Sequence, residues 1–366
     1  MEKARDAELQ GGQMPSGSTD ATPLLEVRNL TVRYRSRGGI ARRHERIDAV
    51  NDITLHLPKG ATIGLVGESG SGKSTLGKAI VRLERPYGGA VLLDGIDIFT
   101  LPERNFRPMR RRLQMIYQDS LASMNPRFTV GETIAEPLVV HRIGRRDQRS
   151  ERVAELLAGV GLDSSMCDKL VVQLSGGERQ RVNIARALAS GPEVVIADEP
   201  TSSLDVSLQA QVLKLLKERQ RQDELSVLFI SHDLAVIRSV AATVAVMYLG
   251  KLVEVARRDD LFSMPLHPYS RALLLAAPQP DPRAERQRDQ APIPGEIPSP
   301  VDPPRGCRFH PRCAMASDIC AAVEPQLRQV VPGHWSACHF AEALGSDPAT
   351  LSFMEDPETG NARPRR

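Results

Sequence analysis

The sequence has few aromatic residues, little net charge and no long hydrophobic run. Phe, Trp and Tyr make up 4% of the 366 residues, so aliphatic side chains must supply most of the core. A formal net charge of +3 does not by itself indicate nucleic-acid binding and is typical of a mixed solvated surface. No apolar run reaches the ~18 residues that a membrane-spanning helix needs. We therefore expect a chain that is soluble, or that reaches a membrane through partners.

The N-terminal segment also lacks the apolar core of a secretory signal peptide. Without such a signal, the five cysteines do not indicate a disulfide framework. Residues 1–23 are polar and predict a disordered leader. The sequence shows no internal repeat.

Short apolar segments alternate with helical patterns from residue 24 to residue 230. The predicted strands are 24–32, 53–57, 62–66, 90–93, 113–117, 194–197 and 227–230, and the predicted helices include 73–83, 151–160, 178–189 and 207–222. This alternation predicts an α/β fold with a mostly parallel sheet, and the early strands predict an added antiparallel part. The basic stretch 35–46 is interpreted as a loop inserted between two strands.

Composition changes near residue 278, where nine prolines fall within 278–304. This proline content predicts a semi-extended linker between two domains. We therefore expect a main domain over 24–277, a small cysteine-rich module over 305–340, and a disordered tail over 341–366.

A glycine-rich segment, residues 67–74, fits the pattern G-x-x-x-x-G-K-[S/T] between an apolar strand and a helical pattern. Its glycines let backbone N–H groups surround phosphate oxygens, and the helix N-terminus adds a favourable dipole. Lys73 is expected to neutralise the β- and γ-phosphates of a nucleotide, and Ser74 to bind Mg²⁺. The predicted nucleotide-binding residues here are Gly67, Ser69, Gly70, Ser71, Gly72, Lys73, Ser74 and Thr75.

Two acidic residues, Asp198 and Glu199, follow the apolar strand 194–197. Open α/β sheets bind ligands at the carboxyl ends of their strands. Asp198 is therefore expected to hold Mg²⁺, and Glu199 to polarise the attacking water as a general base. With the glycine-rich loop, this pair predicts a P-loop NTPase, a class that includes kinases, GTPases and helicases.

The segment 174–180, Leu-Ser-Gly-Gly-Glu-Arg-Gln, resembles the signature sequence of ABC ATPases. Ser175, Gly176 and Gly177 precede a helical pattern, so their N–H groups are expected to form a second anion-binding helix terminus. The resemblance implies that this terminus faces the γ-phosphate of the nucleotide held by an opposite subunit.

Three further residues, Gln118, Asp205 and His232, match the family in its chain order. The resemblance implies that Gln118 contacts Mg²⁺ or the attacking water, and that Asp205 lies in a loop crossing to the other subunit. His232 resembles the histidine that contacts the γ-phosphate and supports Glu199. Tyr34 resembles the aromatic residue that stacks on adenine, with an ordinary surface tyrosine as the alternative.

One phosphate loop and one signature per chain imply that two cassettes pair, through a copy of this chain or a related chain. Each composite site would then take ATP between the phosphate loop of one subunit and the signature of the other. A ligand that binds the closed pair better shifts the equilibrium toward closure.

Segments 118–127, 131–138, 246–250 and 267–270 resemble the ATPases of oligopeptide and dipeptide importers, closest to the F-type of their two paired ATPase subunits. The resemblance covers residues 24–340. It implies an ATP-hydrolysing subunit at the cytoplasmic face of the membrane, with two permease subunits, an extracytoplasmic solute-binding protein and no nucleic acid. Residues after Gln118 would line a groove for a permease helix. ATPases of nickel or other small-solute importers share these features, and a soluble non-transport ABC ATPase is the remaining alternative.

Four cysteines in the C-terminal module have the spacing C-x5-C-x6-C-x17-C; they are Cys307, Cys313, Cys320 and Cys338. Cysteine thiolates suit either Zn²⁺ or an iron–sulfur cluster, and buried cysteines without a metal are the alternative. The spacing does not match a two-by-two zinc ribbon. It resembles the tail of peptide-importer ATPases, some of which carry a four-iron four-sulfur cluster, which favours the cluster over zinc. Cys167 stands apart and is interpreted as a plain thiol.

Overall fold

A computed structural model describes residues 23–35, 46–202, 204–276 and 295–345. The predictions for the leader, for most of the basic insertion and of the linker, and for residues 346–366 fall outside these ranges, as does Ser203. The chain divides into two compact units, one over 1–252 with 298–303 and the other over 253–297 with 304–366. Each unit is described by itself.

Parallel strands form the centre of the first unit. In spatial order they are β9 (Thr243–Tyr248), β3 (Thr62–Val66), β8 (Ser226–Ile230), β7 (Val194–Asp198) and β6 (Leu113–Ile116). Every residue of β3, β7 and β8 is buried, which is typical of parallel strands covered on both faces. The mostly parallel core predicted from the sequence is confirmed.

An antiparallel sheet forms the second layer of this unit. Its strands lie in the order β2 (Arg46–Leu57), β1 (Leu25–Arg35), β4 (Gly88–Leu93) and β5 (Ile96–Asp97). Val27, Leu30 and Val32 of β1 are almost fully buried and supply its core face, and a register shift between Val27 and Leu30 moves the alternation by one residue. The added antiparallel part is likewise confirmed.

In the described part of the first unit, seven α-helices cover the sheets or form a helical part between β6 and β7. They are α1 (Lys73–Ile80), α2 (Glu103–Arg112), α3 (Val130–Val140), α4 (Arg146–Gly159), α5 (Gly176–Ala189), α6 (Val206–Asp223) and α7 (Leu234–Val240). Helix α5 packs against α3 and α4, which gives the helical part its own core. Within the described ranges, no helix is long and apolar enough to span a bilayer.

The second unit contains short elements around the cysteines. They are β10 (Lys251–Arg257), α8 (Arg258–Ser263), α9 (Pro268–Ala276), α10 (Asp318–Ala322), β11 (Arg328–Val331), β12 (His334–Ser336) and α11 (Ala341–Gly345). Strand β12 pairs with β10 and β11, so the division at residue 252 falls earlier than the composition change at residue 278.

A short helix replaces the start of the predicted disordered tail. Ala341 and Leu344 of α11 are buried and pack with Leu266 and Cys338. The prediction of disorder is therefore wrong for residues 341–345, because polar composition hid two apolar residues three positions apart on one helix face.

Candidate nucleotide site

The phosphate loop connects β3 to α1 and depends on glycines at its two ends. Gly67 and Gly72 have positive φ angles of 153° and 103°. A Cβ at Gly67 would lie 2.1 Å from the Met247 carbonyl oxygen, and one at Gly72 would lie 2.1 Å from that of Ala49. Only glycine fits at either position, which fixes the loop against the neighbouring backbone.

We expect Gly72→Ala to destabilise the protein by about 3 kcal/mol or more, because backbone overlap adds to an unfavourable φ. Gly70 is the matched control, since it has a φ of 79° but no atom within 4 Å of an added Cβ. Gly70→Ala should therefore cost only about 1–2 kcal/mol. Urea unfolding of both variants would measure the difference, and equal losses would contradict the steric argument.

Lys73 begins α1 and turns its ammonium back into the loop. Its Nζ donates to the carbonyl oxygens of Gly67 and Glu68, each at 2.8 Å, and lies 3.3 Å from Ser71 Oγ. Burial lowers the pKa of Lys73, while the nearby acidic groups of Glu199, Asp198 and Glu68 act in the opposite direction. The loop thus holds a desolvated ammonium whose hydrogen bonds phosphate oxygens could replace.

Ser74 and Asp198 meet at the carboxyl end of β7. Ser74 Oγ donates to Asp198 Oδ1 at 3.0 Å, and Asp198 is buried. Burial raises the pKa of Asp198, opposed by the Ser74 hydrogen bond and by the charges of Lys78 and Lys73. A hydroxyl and a carboxylate at this distance are oxygen donors suited to Mg²⁺.

Glu199 is held by two side chains from the neighbouring strand ends. Gln118 Nε2 donates to Glu199 Oε2, and His232 Nδ1 lies against Glu199 Oε1, both at 3.0 Å. A carboxylate can only accept, so the His232 Nδ1 carries the hydrogen. Glu199 also has a φ of 46°, an uncommon conformation for a glutamate, while its N–H bonds to the Ile230 carbonyl.

The parallel register explains why these residues converge. β3, β8, β7 and β6 are consecutive neighbours, and their carboxyl ends lie at one sheet edge. The phosphate loop follows β3, His232 follows β8, Glu199 follows β7 and Gln118 follows β6. Four segments that are far apart in sequence therefore deliver their side chains to one place, as is usual for ligand sites of open α/β sheets.

Tyr34 lies near the end of β1 and is partly exposed, at 36%. Burial raises its pKa, and a hydrogen bond with the Thr75 side chain opposes that shift. Tyr34 therefore lies beside the first turn of α1, adjacent to the phosphate loop. Ser69 and Gly70 lie exposed at the loop itself.

The signature residues begin α5 with Ser175 as the N-cap. Ser175 Oγ accepts from the Glu178 N–H, and the Ser175 N–H donates to Glu178 Oε2 at 2.8 Å. Within one chain the Glu178 carboxylate therefore takes the Ser175 N–H, and the expected contact of the Ser175–Gly177 N–H groups with a nucleotide on another subunit stays a prediction. Among the described residues, no hydrogen bond joins the signature to the phosphate loop of the same chain.

Asp205 begins the next long helix of the first unit. It is the N-cap of α6, where its Oδ1 accepts from the Leu208 N–H at 2.9 Å. This structural role accounts for its position within one chain.

Two buried residues of α5 that the sequence did not single out fix the start of the Gln118 segment. Asn183 Nδ2 donates to the Tyr117 carbonyl at 2.9 Å, and Gln180 Nε2 approaches the same oxygen at 3.4 Å. Both side chains are 1% exposed. Two amides three residues apart on a helix were the available sequence signal. Helix α5 thus joins the signature directly to Gln118.

The four C-terminal cysteines line one cavity in the second unit, together with His267, Pro268, Phe309, His310, Met315, His339 and Phe340. Burial raises the pKa of Cys307 to about 11 and that of Cys338 to about 12. In the described part of the chain, no group of three or more His, Cys, Asp or Glu side chains is arranged to hold a single metal ion. Cys167 lies in the first unit, apart from this cavity.

His267 and Pro268, at the start of the segment 267–270, line part of this cavity. His267 Nδ1 accepts from the Tyr269 N–H at 3.0 Å, and its ring packs on Phe309 at 5.9 Å between centroids. Burial lowers the pKa of His267 to about 3, opposed by a hydrogen bond with the Ala337 backbone. Nearby, buried His334 Nε2 and Glu254 Oε1 lie 2.6 Å apart. These buried polar residues support the strand that leads to Cys338, and the sequence pattern had not indicated them.

Comparison with known families places both units. A family described as "ABC transporter" matches residues 50–202, and one described as "Oligopeptide/dipeptide transporter, C-terminal region" matches residues 253–320. A Brucella ovis protein named as a peptide import ATP-binding protein is 46% identical over 317 residues, which cover 87% of this chain and 98% of that protein. The oligopeptide transport ATP-binding protein AppF of Bacillus subtilis is 45% identical, over 87% of this chain and 97% of its own length.

Solved structures that resemble this chain are also components of ABC transporters. A dimeric ATP-binding cassette in a post-hydrolysis state, bound to ADP and Pi, is 30% identical with a TM-score of 0.59, over 64% of this chain and 98% of that one. The protein cbiO1 of Clostridium perfringens is described as part of the ABC transporter complex cbiONQ. It is 25% identical with a TM-score of 0.55, over 66% of this chain and 91% of that chain.

Proposed function

The chain belongs to the ABC transporter family, among the ATP-binding proteins of peptide import, and from that premise we propose that it hydrolyses ATP to drive uptake of oligopeptides or dipeptides. The observation that carries this proposal is Glu199, held by Gln118 and His232 at the sheet edge that also presents Lys73. All of these side chains are present and directed to one edge, as an active ATPase requires.

Within this proposal, each residue of the edge has a separate task. Lys73 and the loop N–H groups bind the β- and γ-phosphates, and Ser74 with Asp198 would hold Mg²⁺, which neutralises phosphate charge. Glu199 accepts the proton of the attacking water as general base. Gln118 and His232 orient the Glu199 carboxylate, and His232 extends from the edge with a side chain that is 64% exposed. Tyr34 stacks on the adenine.

We assign the second half of each site to another cassette, either a copy of this chain or a related subunit. The exposed Ser175 and Gly176 would meet the γ-phosphate held by the partner, and Asp205 would lie in the loop that crosses to it. The dimeric state of the solved cassette bound to ADP and Pi supports this assignment. The proposed cassette spans 24–277, with its helical subdomain over 119–190.

We place the permease on the surface that follows Gln118. Leu121, Val139 and Val140 are exposed at 43%, 54% and 46%, and exposed apolar side chains of this kind favour a protein partner. Helix α5 links this surface to the nucleotide edge through Asn183 and Tyr117, so γ-phosphate chemistry could move a membrane helix. Such a chain would lie at the cytoplasmic face of the membrane as a peripheral subunit, with the solute-binding protein on the far side.

Co-purification from membranes, followed by reconstitution into proteoliposomes, tests the transport proposal. We expect a permease pair to co-purify, and a solute-binding protein loaded with peptide to stimulate ATP hydrolysis and uptake of labelled peptide. Stimulation by nickel instead would favour the nickel-importer alternative. Hydrolysis without any membrane partner would favour a soluble ABC ATPase.

We further assign the cysteine cavity to a four-iron four-sulfur cluster, within a module proposed to follow the 278–304 linker and to span 305–340. All four cysteines line one cavity, and besides burial the charges of the other three act to raise the pKa of Cys338. In a cluster each thiolate binds a different iron, so the four sulfurs need not converge on one ion as they would for zinc. Binding iron would offset the cost of forming buried thiolates.

Anaerobically prepared protein should contain about four iron atoms and four acid-labile sulfides per chain. Cys338→Ser should remove most of both, because Cys338 is buried and lines the same cavity as the other three cysteines. Cys167→Ser is the matched control and should leave the iron content unchanged. Iron and sulfide analysis would decide the matter, and absence of both from the unmodified protein would eliminate the cluster.

A further inference from the structure

The signature helix α5 begins with a glutamate that binds both polar groups of its N-cap serine. Glu178 Oε2 accepts from the Ser175 N–H at 2.8 Å and from the Ser175 Oγ–H at 2.7 Å. The Glu178 N–H in turn donates to Ser175 Oγ at 3.3 Å. The serine therefore directs its hydroxyl hydrogen and its N–H at a carboxylate of its own helix.

These two donors lie at a position that the partner's nucleotide would approach. Ser175 and Gly176 are exposed, and Glu178 is partly exposed beside them. A γ-phosphate is an anion that needs the same hydrogen-bond donors and the same helix N-terminus. The Glu178 carboxylate therefore occupies, within its own chain, donors that the closed pair would use.

We propose that Glu178 is a positioning residue that holds Ser175 away from the partner's nucleotide and so raises the ATP concentration at which the two cassettes close. This inference rests on the proposed two-cassette site. Closure requires Ser175 to exchange Glu178 for the γ-phosphate, and the displaced carboxylate then lies near a like charge. Both effects weaken the closed state relative to the open state, which also favours reopening after hydrolysis.

The charge on Glu178 persists at neutral pH. The hydrogen bonds from Ser175 lower the pKa of Glu178 most, and the positive charges of Lys169 and Arg181 contribute smaller shifts in the same direction. A glutamine at this position could still accept from the Ser175 N–H through its carbonyl oxygen. It would carry no charge, and its amide is a weaker acceptor for the serine hydroxyl.

The chain supplies a matched control in α3. Thr129 and Glu132 form the same capping box, with the Thr129 N–H donating to Glu132 Oε2 at 2.8 Å and the Glu132 N–H donating to Thr129 Oγ1 at 3.2 Å. Glu132→Gln therefore tests the loss of a charged helix cap, and Glu178→Gln tests that loss together with the effect on Ser175.

The test uses the complex purified from membranes with its permease and partner cassette. We expect Glu178→Gln to lower the KM for ATP about three- to tenfold without raising kcat, since it removes a like charge close to the γ-phosphate. The inhibition constant of ADP, which lacks that phosphate, should not change. The difference in KM should shrink at about 0.5 M salt, where the screening length falls to roughly 4 Å. Glu132→Gln should leave the KM unchanged.

Other results would overturn the inference. An unchanged KM for ATP in an active Glu178→Gln complex, or the same shift in Glu132→Gln, would reduce Glu178 to an ordinary helix cap. Loss of the cap charge should lower the unfolding midpoints of both variants by a similar small amount. Thermal unfolding of both variants would therefore show that a KM change seen only in Glu178→Gln does not come from a loss of stability. Absence of ATP hydrolysis in the unmodified complex would instead refute the proposed function itself.

Discussion

Replacing Glu199 by Gln should lower ATP turnover by at least about 100-fold while ATP binding is retained. The amide cannot take the proton of the attacking water, but it has the shape of the carboxyl group and can stay between Gln118 and His232. Lys73 and the phosphate loop are untouched by this change, so the nucleotide keeps its main contacts. With hydrolysis blocked, two cassettes should accumulate as the closed, ATP-bound pair.

Phosphate-release kinetics and equilibrium binding of labelled ATP would measure the two effects separately. Glu193→Gln is the matched control, because Glu193 lies at the opposite end of the same strand and pairs with Arg112. It should turn over ATP at close to the normal rate. Unchanged turnover in Glu199→Gln would refute the assignment of Glu199 as the general base. Lost ATP binding would show that Glu199 is needed to bind ATP before hydrolysis begins.

The sequence predicted the parts of the site that are formed by a short contiguous segment, namely the phosphate loop and the acidic pair. The phosphate loop needs glycines at Gly67 and Gly72, and the structure gives both a steric reason. The acidic pair follows a strand whose every residue is buried, so its apolar run was readable as a central strand. The resemblance to ABC ATPases implied the roles of Gln118 and His232 beside Glu199, and the rule that parallel strands end at one edge explains why they meet.

Other features depend on long-range pairing and left weak local signals. Residues 253–276 belong to the cysteine-containing unit because β10 pairs with β12, about eighty residues later in the sequence. The composition does not change at residue 253, so the sequence carries no sign of this boundary. The uncommon φ of Glu199 is set by the strand ends around it rather than by its own residue type. The interpretation of Ser175 missed Glu178, although a serine followed three residues later by a glutamate is the sequence pattern of a capping box.

Helix α5 gives these separate observations a common physical basis. Its first turn carries Ser175 and Glu178, and its buried middle holds the Tyr117 carbonyl through Asn183. Further along, Arg186 donates to the Ser123 carbonyl and pairs with Glu136 of α3. A displacement of the helix N-terminus by a partner's nucleotide would therefore be transmitted to Gln118 and to the surface assigned to the permease. In the proposed mechanism, this one helix would connect the nucleotide to the transport step.

Replacing Lys73 by Ala should weaken ATP binding by about 100-fold or more, and hydrolysis should fall with it. The ammonium lies within hydrogen-bond distance of two loop carbonyls and is 6% exposed, so phosphate would meet it in a poorly solvated site where a charge-assisted hydrogen bond is strong. Removing it also takes a nearby positive charge away from both Asp198 and Glu199, while Lys78 still acts on Asp198. Loss of the ammonium removes an attraction for the triphosphate, and the less compensated carboxylates repel it.

Lys59→Ala is the control for general loss of a positive charge. Lys59 is 58% exposed and pairs with Glu224 at the surface, where an ion pair contributes little, so its removal should leave ATP affinity within about twofold of normal. Isothermal titration with MgATP would measure both variants, and thermal unfolding would show whether Lys73→Ala remains folded. Because Lys73 bonds to the Gly67 and Glu68 carbonyls, some loss of stability is expected as well. A folded Lys73→Ala protein that binds MgATP normally would contradict the placement of the triphosphate in this loop, and with it the role assigned to every residue at the sheet edge.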